Sequence, residues 1–134
     1  MDHTVKVLVV DDEEEFAVTL SERLELRGFR VKTAPDGETA LEMLRAWVPD
    51  VMVLDLRLPG LDGFEVLGRV STYEPALPVI LLTGQGSTRE GMEGMRRGAF
   101  DFLLKPLNIE VLIDKIQEAA GKRPWEESES ENAP

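Results

Sequence analysis

The 134-residue chain contains no cysteine, which excludes disulfide bonds, zinc sites built from thiolates and catalysis by a thiol. It also lacks any apolar run near the roughly 20 residues that a membrane-spanning helix needs. The first apolar run, residues 5–10, is too short for a signal peptide and leads directly into acidic residues. We therefore expect a cytoplasmic protein, and its length predicts a single domain.

Positive charge is scarce in this sequence. There are 15 Lys and Arg against 26 Asp and Glu, which gives a net charge of −11 at pH 7. Contacts with nucleic-acid phosphates need clustered basic residues, so we expect no direct nucleic-acid binding. The last segment, residues 121–134, is rich in Ser and Glu. It is therefore predicted to be an acidic disordered tail or the start of a linker.

Short apolar runs alternate with amphipathic segments along the chain. The segments have the apolar period of helices, as in Phe16, Leu20 and Leu24 ahead of Gly28. The runs are rich in Val, Ile and Leu and nearly continuous, as in strands buried on both faces of a sheet. Five strands alternating with five helices predict an α/β fold with a parallel sheet. The runs are residues 5–10, 29–34, 50–55, 77–83 and 99–105.

Polar residues stand where four of these predicted strands end. Asp11 and Asp12 follow the first, Asp55 ends the third, Thr83 ends the fourth and Lys105 ends the fifth. In an open parallel sheet the ligand site lies beyond the carboxyl ends of the strands. Three crowded carboxylates favour a hard divalent cation such as Mg²⁺. An ammonium and a hydroxyl beside them suit a phosphoryl group, which one carboxylate could accept as a nucleophile.

Four separated motifs resemble the receiver domain of two-component response regulators: VLVVDDE, VLDLRLPGLDGFEVL, VILLTGQG and AFDFLLKP. The resemblance covers about residues 5–120. It implies a receiver domain over residues 1–120 with a doubly wound sheet of flavodoxin-like order 2-1-3-4-5 and helices on both faces. It further implies that Asp55 accepts phosphate from a phosphohistidine on a sensor histidine kinase. The domain would catalyse its own phosphorylation and slow hydrolysis, without turning over a separate substrate.

The resemblance also implies a magnesium site. Asp12 and Asp55 would ligate the ion directly, together with the backbone carbonyl of Arg57, and Asp11 would act largely through water. Glu13 to Glu15 are better explained by the start of the first helix, where negative charge is favourable.

The remaining residues that the resemblance assigns belong to phosphate binding and switching. Thr83 and Lys105 would hold the phosphoryl oxygens, and a cis peptide bond before Pro106 would aim Lys105 inward. Phosphorylation would draw in the Thr83 hydroxyl while Phe102 turns inward, although Phe102 could also be a plain core residue. The surface that changes would be formed by the fourth helix, the fifth strand and the fifth helix.

Two further expectations concern the surroundings of the phosphoryl group. Arg57 and Gln85 lie two positions after Asp55 and Thr83, so their side chains are expected to influence the lifetime of the aspartyl phosphate. Gly91 and Gly94 fall inside the fourth helix, where each glycine costs about 1 kcal/mol relative to alanine. We therefore expect this helix to be short or mobile before phosphorylation.

Other functions fit less well. A phosphatase of the haloacid dehalogenase type needs a second aspartate two residues after the nucleophile, where this chain has Arg57. A flavin-binding module needs a phosphate-cradling loop after the first strand, where DDEEE would repel phosphate. An inactive receiver used only for docking would not need the complete set of site residues.

The partners are predicted only by class. A histidine kinase or phosphotransfer protein would supply the phosphoryl group, since the single histidine, His3, is not expected to serve as donor. The output would be a downstream protein or an output domain outside this sequence. The sequence does not decide between a stand-alone regulator and a fragment of a longer one. It also leaves open whether the protein is a monomer or a homodimer.

Overall fold

The computed structural model describes residues 4–84 and 88–121. In this part of the chain the strands are β1 (Lys6–Val10), β2 (Arg30–Ala34), β3 (Val51–Asp55), β4 (Val79–Thr83) and β5 (Asp101–Leu104). The helices are α1 (Glu14–Leu26), α2 (Gly37–Met43), α3 (Gly63–Tyr73), α4 (Thr88–Arg96) and α5 (Ile109–Ala120). All strand pairs are parallel, and the sheet order is β2-β1-β3-β4-β5. The predicted fold class and strand order are confirmed.

The strands begin one or two residues later than the apolar runs that predicted them. Leu77 and Ala99 precede β4 and β5 and are nevertheless buried. The runs therefore include residues that enter the core from a loop without joining the sheet. Lys105 follows β5 directly and lies outside it.

Burial on both faces is confirmed for the three central strands and is wrong for the two edges. Every residue of β3 and β4 is buried, as is all of β1 after Lys6. In β2 only Ala34 is buried, and β5 is half-buried, with Leu104 exposed. An edge strand has a neighbour on one side only, so fewer side chains cover it.

Helices cover both faces of the sheet. Because successive strand residues point to opposite faces, alternate residues of the central strands enter two separate apolar clusters. The first joins the sheet to α1 and α5, and the second joins it to α2 and α3. The first includes Val7, Val9, Val53, Ile80, Leu82, Leu20, Leu24, Leu112 and Ile116. The second includes Leu8, Met52, Leu54, Leu81, Ala40, Leu44, Val66, Leu67 and Val70.

Side-chain caps fix where three helices start. Asp36, Asp62 and Asn108 each accept a hydrogen bond from a backbone N–H in the first turn of α2, α3 and α5. Next to Asp62, a Cβ on Gly63 would lie 2.6 Å from Leu56 Cα. Only glycine lets α3 begin this close to the end of β3, and this shapes the loop after Asp55.

The last described element is α5. Helix α5 stops at Ala120 with Gly121 as its cap, and the rest of the predicted tail lies outside the described residues. Within residues 4–84 and 88–121, we find no helix whose length and apolar character would let it cross a membrane.

Candidate functional site at the carboxyl ends of the strands

Three carboxylates meet at the carboxyl ends of β1 and β3. The two strands pair in parallel with Val10 opposite Leu54, so Asp11 and Asp12 emerge beside Asp55. One oxygen from each carboxylate lies within 4.8 Å of the others. Asp11 and Asp55 are buried and Asp12 is exposed. The sequence-predicted acidic cluster is therefore assembled by the fold.

Lys105 supplies the positive charge that this cluster needs. Its Nζ lies 3.0 Å from Asp55 Oδ2 and 3.3 Å from Asp11 Oδ2. Its backbone N–H donates to the carbonyl of Thr83 at 2.7 Å, which ties the residue to the end of β4. The peptide bond from Lys105 to Pro106 is cis.

Two contacts of Lys105 are not predicted by the sequence. Glu13 Oε1 lies 3.3 Å from Lys105 Nζ, and the ring centroid of Phe16 lies 4.6 Å from the same atom. Both residues come from the start of α1, about ninety positions away in sequence. The sequence predicts for Glu13 only a place at the helix start, and for Phe16 only a place on the apolar face of the helix. Only their proximity to Asp11 and Asp12 could have suggested a role at the site.

Backbone N–H groups orient the two buried carboxylates in the same way. Glu13 N–H donates to Asp11 Oδ1, and Arg57 N–H donates to Asp55 Oδ1, both at 2.9 Å. The second oxygen of each carboxylate faces Lys105. Each side chain is therefore held by one backbone donor and one shared ammonium group.

Burial and charge shift two pKa values in this site. Burial raises the pKa of Asp11 above its ordinary value, and the neighbouring Asp55 charge raises it further, despite the Glu13 N–H and Lys105. Burial alone would lower the pKa of Lys105. Its hydrogen bond to Asp55 and the charges of Asp55 and Asp11 outweigh burial, so its pKa is raised. Lys105 is firmly protonated at neutral pH, whereas Asp11 carries its charge at a cost.

The predicted switch residues lie on β4 and β5. Thr83 is buried at the end of β4, and its hydroxyl donates to the carbonyl of Gly84 at 3.4 Å. Phe102 is half-buried on β5, with its ring packed over the Cα of Gly91 in α4.

Of the two residues predicted to affect phosphate lifetime, the structure describes Arg57 but not Gln85. The guanidinium of Arg57 points toward α4, where its Nη2 lies 3.9 Å from Glu90 Oε1. Gln85 lies outside the described residues, so the structure gives it no position.

The donor set fits a hard divalent cation. Carboxylate oxygens are the ligands that Mg²⁺ prefers. Two of the three carboxylates are buried, and in the part of the chain that the structure describes they share a single ammonium group. A second positive charge would offset the remaining repulsion among these acids.

Residues 7–117 match the family model of the response regulator receiver domain. The chain belongs to this family. Its members are signalling domains of two-component systems, and the resemblance seen in the four motifs is confirmed.

Two named relatives of this receiver domain are longer than the chain itself. It is 38% identical over 113 residues to the probable transcriptional regulatory protein TcrX of Mycobacterium tuberculosis, covering 84% of this chain and 48% of the relative. It is 36% identical over 114 residues to the regulatory protein AtoC of Escherichia coli, covering 85% of this chain and 25% of the relative. The chain thus spans about half or less of the length of these relatives.

Solved structures agree with the fold over nearly their whole length. The receiver domain of a Francisella response regulator has a TM-score of 0.83 at 33% identity, covering 89% of this chain and 98% of that one. The receiver domain of NtrX from Brucella abortus also has a TM-score of 0.83 at 33% identity, covering 87% and 98%.

Proposed function

We propose that this receiver domain accepts a phosphoryl group on Asp55 from the phosphohistidine of a sensor kinase or phosphotransfer protein. The observation that carries the proposal is the place of Asp55 in the sheet. It ends β3, between the acids that follow β1 and the Thr83 hydroxyl that ends β4. Asp11 and Asp12 lack this position, because β1 has β2 as its other neighbour and β2 ends in Ala34.

The transfer is a displacement at phosphorus. An Asp55 carboxylate oxygen forms the new P–O bond while the P–N bond to the donor imidazole breaks, and the imidazole leaves with the electron pair. Lys105 stays protonated and attracts the phosphoryl oxygens, and the Thr83 hydroxyl can donate to them. Positioning and charge neutralisation are the main requirements of phosphoryl transfer. Asp55, Lys105 and Thr83 supply groups of the types that meet both requirements.

The acidic cluster supports a proposed Mg²⁺ site. Asp12 and Asp55 would bind the ion directly with the Arg57 carbonyl, and Asp11 would bind through water. When bound, the ion would offset carboxylate charge and attract phosphoryl oxygens.

The output is proposed to run through α4, β5 and α5. The new phosphoryl charge would draw the Thr83 hydroxyl toward Asp55, and Phe102 would turn into the space beside it. This repacking would control a partner protein or an output domain. The domain would act in the cytoplasm as a phosphoacceptor and not as an enzyme with its own substrate.

Intact mass after incubation with a small acyl-phosphate donor and Mg²⁺ tests the proposal. We expect the wild type to gain one phosphoryl group, and Asp55→Asn to gain none. Asp114→Asn, which removes an exposed acid on α5, should behave as the wild type. A gain in Asp55→Asn, or no gain in the wild type with either an acyl phosphate or a phosphohistidine donor, would refute it.

The lifetime of the aspartyl phosphate should depend on Arg57 and Gln85. Each side chain follows a site residue by two positions, so Arg57→Ala and Gln85→Ala should each alter how water reaches the phosphoryl group. The rate constant of dephosphorylation, followed by intact mass after donor removal, measures this. Unchanged rate constants in both variants would contradict the expectation.

A further inference from the structure

An ion pair connects the loop after β3 with the first turn of α4. Arg57 Nη2 lies 3.9 Å from Glu90 Oε1. Both side chains reach solvent, with 73% of Arg57 and 45% of Glu90 exposed. Glu90 Oε1 is itself buried and has no hydrogen-bond partner in the described part of the chain. Arg57 is therefore the group that offsets the charge of this oxygen.

We propose that Glu90 is a positioning residue for Arg57, and that Arg57 exchanges Glu90 for the phosphoryl group once Asp55 is phosphorylated. In the unphosphorylated domain Glu90 draws the guanidinium toward α4. After phosphorylation the guanidinium turns back to Asp55 and the first turn of α4 loses its tether. This inference rests on the proposed phosphorylation of Asp55.

Electrostatics favour the exchange in this direction. An exposed ion pair at 3.9 Å is weak, because solvent screens it and two long side chains must be ordered. A phosphoryl group carries up to about two negative charges and offers several oxygens to a planar guanidinium. The backbone N–H of Arg57 already donates to Asp55 at 2.9 Å. The side chain therefore needs only a rotamer change to reach the new charge.

The position of Glu90 gives the exchange a consequence for α4. Without Arg57, the buried Glu90 oxygen would have neither a hydrogen-bond partner nor an ion-pair partner among the described residues, so we expect the first turn to shift until water reaches it. The next residue, Gly91, packs against the ring of Phe102. A shift of this turn would loosen the contact between Gly91 and the ring of Phe102. Phosphorylation of Asp55 would then affect β5 through Arg57 and Glu90 as well as through Thr83.

A double-mutant cycle tests the exchange. The variants are Glu90→Gln, Arg57→Ala, Arg57→Lys and their combinations. Glu93→Gln is the matched control, since Glu93 lies on the same helix and pairs with Arg96 and Arg97. One readout is the rate constant of phosphorylation by the acyl phosphate. The other is amide hydrogen exchange over residues 88–96 before and after phosphorylation.

Glu90→Gln should release Arg57 and speed phosphorylation by about two- to fivefold, the range expected for loss of one exposed ion pair. The acceleration should persist with Arg57→Lys, which keeps the charge, and vanish with Arg57→Ala. In the unphosphorylated domain, Glu90→Gln should also speed exchange in the first turn of α4, and phosphorylation should then add less than in the wild type.

Three results would overturn the inference. The first is an effect of Glu90→Gln that is equally large in the wild type and in the Arg57→Ala variant. The second is an effect of Glu93→Gln as large as that of Glu90→Gln. The third is no effect of Glu90→Gln on either readout. If the wild type gains no phosphoryl group from any donor, the proposed function itself fails and the exchange fails with it. The amide exchange of Glu90→Gln then reports only on the resting ion pair, so the two failures are distinguishable.

Discussion

At the scale of single residues, Lys105 is the central group of the site. It neutralises part of the charge of Asp11, Asp55 and Glu13, and Asp55 and Asp11 in turn raise its pKa. One ammonium group does not compensate three carboxylates, and Asp11 is the most buried of them, with none of its side chain exposed. The unliganded site therefore contains a carboxylate whose charged form is less stable in the folded chain than in the unfolded one.

Asp11→Asn should therefore stabilise the domain at pH 7 in Mg²⁺-free buffer. Burial raises the pKa of Asp11 above its ordinary 3.8. The stability linked to this group is fully present below that value and is lost as pH rises through the raised folded pKa. Asparagine has no charge to bury and can still accept from Glu13 N–H. We expect Tm to rise by about 2–5 °C, as for roughly 1 kcal/mol in a domain of this size.

Thermal unfolding at two pH values measures this effect. The difference between Asp11→Asn and wild type should shrink near pH 4, where more of the wild-type Asp11 is protonated. Asp114→Asn, on exposed α5, should leave Tm nearly unchanged at both values. A lower Tm for Asp11→Asn, or a gain independent of pH, would show that burial of this charge is not destabilising.

At the scale of elements, α4 combines weak helix propensity with close packing. From the sequence, Gly91 and Gly94 are predicted only to weaken the helix. In the structure both glycines are buried, and added Cβ atoms would overlap Phe102 and Leu81 respectively. Glycine at these positions lets α4 approach β5 and β4 closely. The mobility of α4 before phosphorylation stays a prediction. Because Gly91 contacts Phe102, a movement of α4 would change the packing of this predicted switch residue.

Gly91→Ala should accordingly destabilise the domain, although alanine is the better helix former. Overpacking against Phe102 lowers the free energy of unfolding by about 1–3 kcal/mol. The higher helix propensity of alanine offsets about 1 kcal/mol of this loss. Gly68→Ala is the matched control, since a Cβ on Gly68 in α3 would meet nothing within 4 Å. It should stabilise by about 0.5–1 kcal/mol.

Urea unfolding of the two alanine variants decides this prediction. Opposite signs for the two free-energy changes are expected. Equal stabilisation by both would mean that the Phe102 ring moves aside without cost, and that Gly91 does not hold it in place.

At the scale of the whole molecule, the sequence carries a net charge of −11, and the acidic site lies at the carboxyl ends of β1 and β3. This field favours cations at the mouth of the site and disfavours other anions. The chain spans 48% of the length of TcrX and 25% of that of AtoC.

Mg²⁺ should raise the Tm of this domain through the acidic cluster. A ligand at 100 times its Kd stabilises the folded state by about 2.7 kcal/mol, which corresponds to a rise of several degrees. Asp12→Asn should lose most of the rise, because it removes one of the two carboxylates proposed to bind the ion directly. Asp12 is exposed, so the substitution leaves the core intact. Glu14→Gln, an exposed acid outside the cluster, should retain it. An equal rise in Asp12→Asn, or in NaCl of matched ionic strength, would indicate screening and not binding.

The sequence alone determined the class of fold and the membership of the acidic site. Buried strands and amphipathic helices leave apolar periods that depend on each element's own residues, and parallel strands bring their carboxyl ends together whatever the loops do. For that reason Asp11, Asp12, Asp55, Thr83 and Lys105 could be grouped before any coordinates.

The tertiary structure alone decided which side chains touch across elements. The contacts of Lys105 with Glu13 and Phe16, of Arg57 with Glu90, and of Phe102 with Gly91 join residues of different elements. Periodicity carries no information on these pairs, because they depend on how closely a helix approaches the sheet and on which rotamer a long side chain adopts. The exposure of β2 and β5 has the same origin: the expected order 2-1-3-4-5 already places both strands at the edges, but how far an edge strand is covered depends on how the helices pack against it.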